Sequence, residues 1–158
     1  DDILNKYRNA PDAGLQPTSP QRNTISTSPR GKLPIGLRNN NPGNLRGRYH
    51  GAVGSNGGFA VYDSPEAGVR AASKQLDIYD RRGINTVNRV IGTWAPPNEN
   101  DTGAYAARVA RGLGVSPDQP LDIRDPRIKS GLLKAIFDVE NGPDKNPHTQ
   151  DSIKSIIG

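Results

Sequence analysis

Residues 37–62 read LRNNNPGNLRGRYHGAVGSNGGFAVY. This stretch decides the fold, because a chain needs little of such chemistry merely to join two helices. Asn side chains bond to nearby backbone and favour turns, and Gly supplies positive φ. A loop this long is either functional or disordered. Its place inside an otherwise globular pattern favours function. Regular structure starts at its end, where Gly58-Phe59-Ala60-Val61-Tyr62 is an aromatic, β-branched run after two glycines and predicts a short strand. A second block, Trp94 to Tyr105, reads WAPPNENDTGAY and repeats the same turn-forming chemistry.

Helices are expected around these two blocks. Ser64 is an N-cap, Pro65 fits the first helical position, and Val69, Ala72, Leu76 and Tyr79 recur at helical spacing up to the stop at Gly83. A second helix starts at Thr86, with Val87, Val90, Ile91 and Trp94 on one face, and ends at Pro96-Pro97. A third runs from about Thr102 to Leu113 and stops at Gly114. A fourth begins with Asp125 and Pro126 and carries the strongest apolar stripe: Ile128, Leu132, Leu133, Ile136, Phe137 and Val139. Asn141-Gly142-Pro143 ends it, and a short last helix spans 151–157. The reading is a mainly α domain with a small β element over residues 35–142. An extended Pro/Ser/Thr-rich arm or linker (1–34) precedes it, and a C-terminal tail with a short helix (143–158) follows.

Composition sets limits on function. The chain has 158 residues, 32% hydrophobic, and a formal net charge of +5. The charge suits a polyanionic partner such as nucleic acid, a membrane surface or an acidic cell wall. Basic residues are scattered, so a nucleic-acid module has net charge alone in its favour. With no cysteine and two widely separated histidines, His50 and His148, neither a metal nor another cofactor is expected. No apolar run approaches the roughly 18 residues of a membrane span. No dinucleotide or phosphate-loop spacing, Gly-x-Ser-x-Gly elbow or Cys–His nucleophile occurs. A start at Asp1, with no methionine anywhere and no signal peptide, suggests a processed product or a piece of a longer protein.

Glu140 stands out among the titratable residues. It follows Ile136 by four and Leu133 by seven, so it shares their face, and it precedes a Gly-Pro stop. A carboxyl group at the mouth of an apolar face suits a general acid. The plainer alternative is a helix-end Glu in water. Glu99 and Asp101 lie in the Pro-Pro loop, where Asp101 is better read as a helix cap. Trp94 and Tyr105 either stack on sugar rings or pack in the core.

The runs Arg38 to Arg46, Gly57 to Gly68 and Trp94 to Thr102 resemble, in order, a group of phage virion structural proteins. A more distant likeness is to bacterial cell-wall glucosaminidases. Asn44-Leu45 resembles their Asn-Leu segment, Phe59 to Ser64 their strand-to-helix step, and Tyr105-Ala106 a later helix. Their Glu-ended helix precedes these features. Here its counterpart, Lys134 to Gly142, comes last, so the likeness implies a circularly permuted lysozyme-like fold with Asn141 in place of the usual Ser. It further implies a glycosidase or lytic transglycosylase acting on peptidoglycan, from a phage virion at the bacterial cell wall or periplasm. Glu140 and Glu99 would be catalytic, and Asn41, Asn44, Tyr62, Trp94 and Tyr105 would line the groove. The alternative is a non-catalytic virion component. In either reading residues 1–34 would bind other virion protein subunits.

Overall fold

Side chains cap the start of every helix among the described residues except the first, short one. The computed structural model describes residues 33–98 and 100–158. Helix α1 is Ile35–Arg38, followed by strands β1 (Gly54–Asn56) and β2 (Phe59–Val61), then helices α2 (Pro65–Arg81), α3 (Val87–Trp94), α4 (Thr102–Leu113), α5 (Pro126–Asn141) and α6 (Gln150–Ile157). Ser64 Oγ accepts from the Ala67 amide, Thr86 Oγ1 from Arg89, Asp101 Oδ1 from Ala104 and Asp125 Oδ1 from Arg127. Each satisfies an amide that the first helical turn leaves open. Thr149 and Ser152 form a reciprocal capping box at the start of α6.

Five of these helices match the expected spans closely. The architecture is mainly helical with one small sheet, as read from the sequence. β1 and β2 pair antiparallel, with Gly54 opposite Val61 and Asn56 opposite Phe59. Gly57 and Gly58 lie between them at φ 59° and 88°, which a two-residue hairpin turn with primed geometry demands. Gly58 thus belongs to the turn, and the strand begins at Phe59.

The core gathers one face of every long helix. Val69, Leu76 and Tyr79 of α2, Ile91 and Trp94 of α3, Val109 of α4, and Leu132, Ile136 and Phe137 of α5 are all fully buried. The Trp94 and Tyr79 rings meet edge to face at 6.1 Å. Helix α6, within residues 143–158, packs on α5 and α2, and Ile153 is fully buried in the common core. The Gly142-Pro143 stop only turns the chain, and the apolar side chains of Ile153, Ile156 and Ile157 bring it back.

Gly68 shows how tightly α2 meets the Asn-rich loop. A Cβ at this position would stand 1.8 Å from the Asn40 carbonyl oxygen. Helix propensity favours Ala over Gly by about 1 kcal/mol, so propensity and packing predict opposite signs for Gly68→Ala. The contact is with backbone and wins: a loss of about 2–3 kcal/mol is expected. Thermal unfolding should show a drop of about 5–10 °C; an unchanged or raised melting temperature would contradict the packing described here.

Candidate functional site

The site is built on the loop 39–46, which contains two residues in left-handed backbone geometry. Asn40 and Asn44 have φ of 54° and 51°. Asn tolerates this region better than other side chains. Side-chain amides then lock the loop from several directions. Asn41, fully buried, accepts from the Leu45 amide through Oδ1 and donates through Nδ2 to the carbonyls of Leu45 and Ala60, each at 2.9 Å. It thereby imitates a strand partner and ties the loop to β2. The Trp94 indole N–H donates to Gly43 O at 3.0 Å. Asn141 Nδ2 donates to Pro42 O at 2.8 Å and to Phe137 O at 3.0 Å, which fastens the loop to the end of α5.

This clamped loop meets Glu140. Asn44 Nδ2 donates to Glu140 Oε1 at 2.7 Å, and the Tyr105 hydroxyl donates to Oε2 at 2.7 Å. Three elements therefore converge on one carboxyl group: the Asn loop, the first turn of α4 and the last turn of α5. Asn44 lies 96 residues before Glu140, and Tyr105 lies 35 before it. Bonds this short hold the carboxyl group in one orientation. They also offset an unfavourable location, since a negative charge at a helix C-terminus opposes the helix dipole. Glu140 is half-buried, and Gly142 at φ 90° ends the helix beside it.

The expected groove residues fall into two groups. Asn44 and Tyr105 touch Glu140 directly. Asn41, Tyr62 and Trp94 are buried and offer almost no surface to a ligand, with Tyr62 at 2% exposure and the other two at 0%. They shape the loop. Trp94 braces Gly43, and the Tyr62 hydroxyl donates to Tyr49 O at 3.0 Å while burial pushes its phenol pKa up. Glu99 lies outside the described residues. Asp101 caps α4, as the plainer reading held, and Glu66 sits in the first turn of α2.

His50 and His148 occupy structural niches. His50 Nε2 lies 3.1 Å from Gln75 Oε1, and burial lowers its pKa despite that contact. The His148 ring packs on Phe137 at 5.7 Å, and burial lowers its pKa as well. Among the described residues no group of three His, Cys, Asp or Glu side chains is placed to hold a metal ion. Among them also, no helix is long and apolar enough to cross a membrane.

Two contributors escaped the sequence reading. Arg46 is 1% exposed, and its guanidinium stacks 4.3 Å from the centre of the Phe59 ring. Asn141, which by sequence belongs to the helix stop and stands in place of the usual Ser, is also the strap between loop and helix. Neither position carries a local signal, because its partners are distant in sequence.

No family model matches the chain. The chain is 34% identical over 134 residues to Protein P5 of Pseudoalteromonas phage PM2, a match that covers 75% of this chain and 77% of that protein.

Proposed function

Since the chain belongs to the family of Protein P5 of Pseudoalteromonas phage PM2, we propose that it is a phage virion protein that cleaves the glycan strand of peptidoglycan during genome delivery. One observation carries the reading: Glu140 stands half-buried at a helix end, oriented by Asn44 at Oε1 and Tyr105 at Oε2. A glycosidase needs a carboxyl group held in one orientation at the edge of the core, able to pass a proton to the glycosidic oxygen. The likeness of α5 and the Asn44 loop to the parts of cell-wall glucosaminidases supports the role, with the elements in permuted order. The net charge of +5 suits an anionic wall.

In this mechanism Glu140 protonates the bridging oxygen as the bond from the anomeric carbon breaks. Asn44 and Tyr105 keep the carboxyl plane fixed through the step. Glu99 is the candidate second carboxylate, to activate a water or attack the anomeric carbon according to its distance from Glu140. Without a second carboxylate, attack by the sugar's own hydroxyl on the anomeric carbon would close an anhydro ring, the lytic transglycosylase outcome. No cofactor is needed.

Tyr105→Phe tests the orientation. It removes the hydroxyl that donates to Glu140 Oε2. Clearing of purified peptidoglycan should slow by about 10-fold, while stability falls by about 1 kcal/mol. A variant that clears as fast as wild type would show that Tyr105 does not support the reaction.

The alternative is a non-catalytic virion component in which Glu140 is a structural tie. Its particular support is that protein donors already engage both Glu140 oxygens. Both readings give residues 1–34 the task of binding a neighbouring subunit, on the strength of five prolines in a polar, aperiodic stretch. Most of that arm lies outside the described residues. Cross-linking of intact virions should join Lys6 or Lys32 to another virion protein. Cross-links from these lysines only to residues 33–158 of the same chain would contradict the assignment.

A further inference from the structure

Gly36 sits in α1, beneath the loop that carries Asn44. Its φ is not positive, so backbone freedom does not explain a glycine here. Ala would be the better helix former. Space explains it instead. An atom at the position of a Cβ would lie 2.6 Å from Asn141 Oδ1, 2.9 Å from Asn44 Oδ1 and 2.9 Å from the Asn41 carbonyl oxygen. The orientation of both amides is set elsewhere. A carboxylate oxygen only accepts, so Asn44 turns Nδ2 toward Glu140 and Oδ1 away from it. Asn141 spends Nδ2 on two carbonyls, Pro42 and Phe137, and its Oδ1 also turns toward Gly36. The Gly36 carbonyl accepts from the Asn41 amide at 2.7 Å, so α1 and the loop cannot simply separate.

We infer that Gly36 is a positioning residue for Glu140, acting through Asn44: the bare Cα leaves the one space in which the Asn44 amide can aim Nδ2 at the carboxyl group. The inference rests on the glycan-cleaving role proposed above for Glu140. A methyl group at position 36 would push the Asn44 oxygen aside and turn its nitrogen away from Glu140, since neither the Asn41 backbone nor the doubly bonded Asn141 can yield.

The experiment is a double-mutant cycle on the full chain with Gly36→Ala and Asn44→Gly, reading both peptidoglycan clearing and melting temperature. Gly is chosen at position 44 because it accepts the positive φ there. Each single variant should clear about 10- to 100-fold more slowly. The double variant should clear no more slowly than Asn44→Gly alone, because the Asn44 amide through which the methyl group would act on Glu140 is gone; the remaining crowding against Asn141 Oδ1 and the Asn41 carbonyl lowers stability only. Its melting temperature should fall by less than the two single drops combined. Losses that multiply, or a Gly36→Ala protein that clears at the wild-type rate, would overturn the inference. If wild type clears nothing, the proposed function fails separately. The melting temperatures then decide alone: a sub-additive drop supports coupling between Gly36 and Asn44, and an additive drop refutes it.

Discussion

Glu140→Gln is expected to slow peptidoglycan clearing by at least about 100-fold and to leave the melting temperature within a few degrees of wild type. The amide is nearly isosteric with the carboxyl group. Its oxygen can still accept from Asn44 Nδ2, and its NH₂ can donate to the Tyr105 oxygen, so both bonds that now hold Glu140 survive with one reversed. What the amide cannot do is deliver a proton to a leaving oxygen. Folding and chemistry are thus separated at one atom. Clearing at the wild-type rate by a folded Gln variant would remove Glu140 from the mechanism.

The largest effect on stability is expected from Trp94→Ala. The indole is fully buried, packs edge-on against Tyr79 and donates to Gly43 O. Its ring also fills the space over Gly43, where a Cβ would come within 2.7 Å of Cζ2. Truncation removes the packing and strands a loop carbonyl, with a cost of about 3–5 kcal/mol. For a domain of this size that is a fall of about 10–15 °C. Trp94→Phe keeps most of the ring and deletes only the N–H, so it should lose less stability but still loosen the loop. Chemical denaturation of the three proteins separates the two contributions; equal stability of wild type and Trp94→Ala would contradict the brace.

The helices were legible because their signals are local. Ser64-Pro65, Thr86 and Asp125-Pro126 announce a first turn within three residues, and Gly114 a last one. The apolar stripe of α5 also placed Glu140 on the inward face, because i, i+4 and i+7 share a side of any α-helix. Its partners were legible only through a resemblance. No periodicity links Asn44 to a residue 96 positions later.

The elements that escaped notice are short. Helix α1 is one turn long, with the Leu37 and Arg38 amides bonded to Pro34 O and the Asn39 amide to Ile35 O, and a single turn has no periodicity to read. Strand β1 is Gly-Ser-Asn, a poor strand sequence that exists because β2 pairs with it. Trp94 was assigned to both core and groove by its chemistry, and only burial decides between them. The same holds for Asn41 and Arg46, polar residues that composition places at the surface but that hydrogen bonds or a ring face keep inside. In α6 the fully buried Ile153 and the partly buried Ile156 and Ile157 pack on the common core, a contact that eight residues of sequence do not announce.

The most direct test of the central claim is analysis of what the wild-type protein releases from purified peptidoglycan. Mass spectrometry of the soluble fraction should show glycan fragments with newly formed sugar ends. Reducing ends would indicate a hydrolase and anhydro ends a transglycosylase. The Glu140→Gln protein in parallel should release neither. Intact glycan strands after prolonged incubation with folded wild-type protein, or fragments cut only within the peptide stems, would contradict the account and leave Glu140 as a structural tie in a non-catalytic virion component.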